Sequence, residues 1–123
     1  MNLSMTILYV TDMAKMKDFY SEKIGLPLSK QFNGPVFVAF QPSVGSLLAI
    51  QDKTTADLPP DTVLHNENVE VSFLTEDVDG LCRQWQANGV EIVTPPTDMP
   101  FGRYFKALDP EGHFVSAYRL PQG

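Results

Sequence analysis

Few side chains in this sequence are of a type and spacing that commits them to chemistry. Imidazole comes from His65 and His113 alone. Glu111 and His113 flank the end of a tight turn, Asp109-Pro110-Glu111-Gly112, and could catch an ion at the surface, since divalent metals favour carboxylate oxygen and imidazole nitrogen. The competing reading is a pair of ordinary turn residues in water. Cys82 is the single thiol, which excludes an intramolecular disulfide and a cysteine-rich zinc site. No neighbouring motif activates it, so an inert buried thiol is expected. Trp85 could stack against a bound ring, but it shares one helical face with Val78, Leu81 and Cys82, which places it in a core. The segment Thr94 to Gly102 holds three prolines and is either a lid carrying Met99 and Phe101 over a ligand or a stiff loop.

Whatever chemistry exists must be held by a chain of 123 residues, enough for one domain of ordinary size. With 43% hydrophobic residues the chain can build a core, which excludes wholesale disorder. Fifteen acidic against nine basic residues leave a net charge of −6, which repels nucleic acid and anionic membrane and favours neutral or cationic small ligands. No apolar run approaches the roughly 20 residues that span a bilayer. Met1 to Thr6 has neither a basic region nor a long apolar stretch, so no signal peptide is expected and the expected compartment is the cytoplasm.

The elements repeat. A polar connector, 52–68, with Pro59-Pro60 near its centre, separates module one, 1–51, from module two, 69–123. Module one opens with the β-rich run Met5 to Val10; Asp12 can cap a helix whose apolar positions are Met13, Met16, Tyr20 and Ile24, ending at Gly25. Strands are expected at Pro35 to Phe40 and Gly45 to Gln51. Module two opens with the alternating run Val69 to Leu74; Asp77 can cap a helix ending at Gly89, with strands at Arg103 to Leu108 and His113 to Tyr118. Overlaid, Asp12 falls on Asp77, Tyr20 on Trp85, Gly25 on Gly89 after a one-residue gap, and Gly45 on Gly112. The reading is α+β: two βαβββ modules, each too small to close a core alone.

This order, with Tyr9-Val10-Thr11-Asp12, Phe19-Tyr20, Gly25-Leu26 and Asp109-Pro110-Glu111-Gly112-His113, resembles the vicinal oxygen chelate superfamily of glyoxalases, fosfomycin-resistance enzymes, extradiol dioxygenases and bleomycin-resistance proteins. The resemblance covers essentially the whole chain. It implies paired modules whose curved mixed sheets surround a cavity, usually in a homodimer, with the modules paired within a chain or swapped between chains. Members range from metalloenzymes to inert binding proteins, so the fold leaves function open.

In metal-dependent relatives, ligands stand on the first and last strands of each module. Those positions here hold Met5, Ala49, Glu70 and Ser116. Methionine suits copper(I), alanine offers no donor and a serine hydroxyl is weak, so no metal and no cofactor are expected. Strand alternation from Met5 and Glu70 turns Ile7, Tyr9, Ser72 and Leu74 inward and puts Thr6, Leu8, Val10, Val71 and Phe73 under the helices. The overlay pairs Phe37 with Tyr104 and Ala39 with Lys106, which the resemblance places inward, and Ser116 brings Tyr118 with it. The wall so defined is apolar and aromatic with Glu70 and Lys106 as its few charges, a composition typical of a ligand pocket and shared with a filled core or a dimer seam. Glu70 and Lys106 can pair, Lys106 can reach the rim, Glu70 can meet a cationic ligand group, or burial can raise Glu70 into a general base.

Two functions follow. One is a metal-free protein sequestering a cationic or aromatic antibiotic-like compound, without nucleic-acid or membrane partners. The other is a metal-independent isomerase or lyase with Glu70 as base and Lys106 or Tyr104 stabilising an enolate. A vestigial module serving as an interaction domain is the third reading.

Overall fold

Alternation of side chains decides which face of each strand is covered, and the helices follow from it. In the computed structural model, which describes residues 1–122, the chain divides into one compact unit over Met1–Leu64 and a second from His65 onward. The division falls inside the expected connector. Gly123, the last residue of module two, lies outside the described residues.

The first unit runs β1 (Met5–Val10), α1 (Met13–Asp18), β2 (Leu28–Asn33), β3 (Phe37–Ser43) and β4 (Ser46–Asp52), with sheet order β1-β4-β3-β2 and β1 parallel to β4. The Asp12 carboxylate accepts the Lys15 backbone N–H at 3.0 Å and starts α1. The expected single helix to Gly25 is corrected: α1 stops at Asp18 and a π-helical turn, Phe19–Lys23, carries the chain on. The wider turn buries Phe19 beside Tyr20, ring edge to face at 5.0 Å, and both meet the covered face of Leu8, Val10, Val38, Phe40, Leu48 and Ile50. Thr6, expected under the helix, is exposed, because the short α1 does not cover the start of β1.

The second unit runs β5 (Glu70–Leu74), α2 (Val78–Ala87), β6 (Glu91–Met99), β7 (Gly102–Leu108) and β8 (Phe114–Arg119), ordered β5-β8-β7-β6 with β5 parallel to β8. Asp77 caps α2 through Gly80 N–H at 2.9 Å. Val78, Cys82 and Trp85 are buried on the α2 face toward Phe105, Val115 and Ala117; the Trp85 ring lies 5.0 Å from Phe105 and 6.5 Å from Phe73. Trp85 is thus a core residue, and burial, with the Asp79 charge behind it, pushes the Cys82 thiol above its ordinary range. These two βαβββ units with four-stranded mixed sheets are the α+β architecture expected.

Two readings change. The proline-rich segment is neither lid nor long loop: Glu91–Met99 is an edge strand, and only Pro100 and Phe101 form the turn into β7. Between the pairs Thr94↔Lys106 and Thr97↔Tyr104 the outer strand carries one residue more than its partner, and Pro95-Pro96 sit in that bulge, where a missing N–H breaks no ladder bond. His113 is likewise no exposed turn residue. It is 2% exposed, its Nδ1 lies 2.6 Å from Asp109 Oδ2, and the other Asp109 oxygen accepts the backbone N–H of Glu111 and of His113. The turn folds back over its own carboxylate, which removes His113 from any surface ion site.

Candidate functional site

On the face of the second sheet opposite α2, side chains two apart on each strand form rows. One row is Ser72, Ser116 and Lys106; the next is Leu74, Tyr118 and Tyr104. Glu70 stands one step earlier on β5. The hairpin tip adds Met99 and Phe101, the Phe101 ring lying 5.6 Å from Tyr104. Glu70, Ser72, Met99, Phe101, Tyr104, Lys106, Ser116 and Tyr118 together line a cavity of about 250 Å³. Leu74 stays exposed and does not join them.

The cavity floor is a chain of polar contacts. Lys106 Nζ lies 2.9 Å from Glu70 Oε1, and Ser116 Oγ lies 2.8 Å from Glu70 Oε2 and 2.9 Å from Ser72 Oγ. A hydroxyl has one hydrogen and a carboxylate only accepts, so Ser116 donates to Glu70 and accepts from Ser72. Lys106 also stands 5.3 Å over the Phe114 ring. Burial raises the Glu70 pKa, but the hydrogen bonds from Lys106 and Ser116 and the Lys106 charge together outweigh it, and the carboxyl is held below its ordinary value. The stability it contributes is therefore present above the ordinary carboxylate range and lost as pH falls through the lowered value. Of the expected alternatives for these two groups, the mutual ion pair is the arrangement found. The reading of Glu70 as a base strengthened by burial is corrected: the side chain is 39% exposed and paired, which weakens it as a base.

The remaining expected residues belong to the first unit. Met5, Ile7, Tyr9, Phe37, Ala39 and Ala49 share the face of that sheet opposite α1. Ile7, Ala49 and Ala39 stand in one row, while Tyr9 and Phe37 flank Gln51 in the next. The fit of a divalent metal can be judged from donors alone. Met5 is a soft thioether, Ala49 has no donor, Ser116 spends its hydrogen on Glu70, and an ammonium already occupies the Glu70 carboxylate. This donor set does not fit such an ion. Among the described residues no group of three or more His, Cys, Asp or Glu is arranged to hold one.

A feature with no sequence signal holds the hairpin in place. Arg103, at the start of β7, grips Asp79 of α2 through Nε and Nη2 and Asp98 of β6 through Nη1, each contact 2.9 Å. Asp79, and then Asp98, hold the guanidinium above its already high range, and Arg103 in turn lowers Asp79. The three residues are far apart in sequence or on different elements, so only the fold assembles them. Arg103→Gln is expected to speed amide hydrogen exchange at 98–103 while leaving the α2 core protected. Unchanged exchange at the hairpin would remove the clamp.

Two βαβββ units, each with a helix on one sheet face and a row of inward-type positions on the other, define the paired-module class to which glyoxalase-like proteins belong. The chain is a member of the Glyoxalase/Bleomycin resistance protein/Dioxygenase superfamily, whose family model matches residues 2–116. Among solved structures it is similar to protein ATC0852 from Agrobacterium tumefaciens, with 28% identity, TM-score 0.79 and 99% of each chain covered. It is similar also to TnmS3, an antibiotic binding protein from Streptomyces sp. CB03234, with 25% identity, TM-score 0.77, and 98% of this chain and 97% of that one covered. A glyoxalase/bleomycin resistance protein/dioxygenase from Nocardioides matches in fold, with 24% identity, TM-score 0.80, and 99% and 85% covered. No curated protein matches the chain. No helix among the described residues is long and apolar enough to cross a membrane.

Proposed function

We propose that this protein binds a small molecule without a metal, sequestering an aromatic or cationic compound of antibiotic type, and that it does so as a cytoplasmic homodimer. The observation that carries the reading is the cavity on the second sheet, where Phe101, Tyr104, Tyr118 and Met99 supply apolar wall and a few polar groups sit at one end. Rings of this kind stack on planar ligands and attract cations, and the net charge of −6 draws cations from a distance. The similarity to an antibiotic binding protein supports the same direction. The alternative, a metal-independent isomerase or lyase, needs Glu70 as a free base; its pairing with Lys106 and Ser116 speaks against that role.

Calorimetric titration with a panel of aromatic and cationic antibiotics should give saturable binding to at least one member. Tyr104→Ala should weaken it about tenfold, the share that one stacked ring contributes. A panel without any binder, or binding indifferent to Tyr104, would overturn the reading. A light-scattering mass of a single chain would remove the dimer.

A further inference from the structure

We infer that the cavity selects an uncharged aromatic group bearing a neutral hydrogen-bonding function such as an amide, in preference to a cation or an anion of the same shape. The inference rests on the reading of this cavity as a ligand site and narrows the ligand it takes. Its basis is the charge balance of the floor. The two charges lining the cavity are Glu70 and Lys106, and they neutralise each other across 2.9 Å. The second Glu70 oxygen accepts from Ser116, whose own oxygen faces Ser72. An incoming ammonium would find a carboxylate already served by one cation and one hydroxyl. An incoming carboxylate would find an ammonium already served by one anion. Either ion would leave water without gaining an uncompensated partner, which is the unfavourable half of burying a charge. The chain-wide charge of −6 acts through solvent and is screened within about a Debye length. It changes the rate of encounter more than the preference at the floor.

What the floor does offer is hydrogen bonding to a neutral group, since the Glu70 and Ser72 oxygens keep lone pairs and Lys106 keeps N–H groups. An ammonium has three N–H groups, and Glu70 takes one of them. Tyr104 and Tyr118 add phenolic O–H groups along the wall. Lys106 is 27% exposed, so its remaining N–H groups can reach a carbonyl or phenol oxygen without breaking the pair. The Phe101 and Tyr104 rings, packed on each other at 5.6 Å and tilted by 50°, give the wall an aromatic surface for the flat body of the ligand. At about 250 Å³ the cavity lies below the roughly 300–1,000 Å³ of sites for whole drug-sized molecules and suits a ring system of two fused rings.

Three probes of one shape separate the possibilities: naphthalene-2-carboxamide, naphthalene-2-carboxylate and 2-naphthylmethylammonium, titrated into the full chain at neutral pH. The carboxamide should bind about tenfold more tightly than either ion, reflecting the uncompensated cost of the ion's lost water. Lys106→Met frees the Glu70 carboxylate and should bring the ammonium to first place; Glu70→Gln frees Lys106 and should bring the carboxylate there. An ammonium or a carboxylate that binds first in the wild-type protein, or three equal affinities, overturns the inference and leaves the cavity reading standing. So does a wild-type order that both folded variants preserve. No binding by any probe to the wild-type protein overturns the inference and the cavity reading together. The wild-type order is decisive even if a variant fails to fold.

Discussion

Asp109→Ala is expected to destabilise the protein by about 3–5 kcal/mol, the cost of removing one partner from a buried hydrogen-bonded pair. The Asp109 side chain is fully buried, and its two oxygens serve three donors: the backbone N–H of Glu111, the backbone N–H of His113, and the His113 ring at 2.6 Å. Alanine leaves the two buried His113 donors without a partner and takes the acceptor from the part-buried Glu111 N–H, with β7 and β8 entering and leaving the same turn. Asp109→Asn keeps one oxygen for the two backbone donors and should cost less, on the order of 1–2 kcal/mol. Urea unfolding followed by circular dichroism measures both. An alanine variant within about 1 kcal/mol of wild type would mean that backbone hydrogen bonds alone hold the turn.

Gly102→Ala is expected to have the second largest effect, about 2–4 kcal/mol, from overpacking and a disallowed backbone together. Gly102 closes the β6–β7 hairpin at φ +140, where L side chains are strained, and a Cβ there would overlap the carbonyl oxygen of Arg119. The chain can accept the methyl group only by moving the hairpin tip away from the end of β8. Met99 and Phe101 would travel with it and leave the cavity. Loss of stability should therefore come with loss of ligand affinity, read by thermal unfolding and by the same titrations that test the proposed function. A variant of wild-type stability and affinity would mean that the tip and β8 part freely.

Alternation and capping made most of the fold legible. Asp12 and Asp77 each cap a helix as their spacing suggests, and the overlaid Gly25 and Gly89 are both left-handed, at φ +92 and +88, Gly89 just past the end of α2 and Gly25 past the π-helical turn that follows α1. Which side chains of the second sheet share a face was legible for the same reason, since a period of two fixes every side chain once one is fixed, although Leu74 on that face stays exposed. Three things lay beyond that logic. β2, Leu28–Asn33, is a polar edge strand without an apolar period, so nothing local marks it as a strand. β6 carries prolines that argue against a strand unless the bulges are known. The buried Asp109–His113 pair was hidden because turns are usually wet and His113 reads with Glu111 as surface chemistry; its only trace is a carboxylate and an imidazole four residues apart around a glycine. Arg103 left no trace at all, since its partners meet it only after α2, β6 and β7 are in place.

The two prolines in β6 have a consequence beyond local geometry. β6 is the outermost strand of its sheet, and an outermost strand with a regular ladder of free N–H groups is a template on which another chain can extend the sheet. Pro95 and Pro96 leave the ladder without N–H donors over that stretch, and the bulge bends the strand away from a straight approach. The same irregularity that hides this strand from a reader of the sequence also hides it from neighbouring copies. The β6 edge is thereby a poor template for strand-by-strand growth of its sheet.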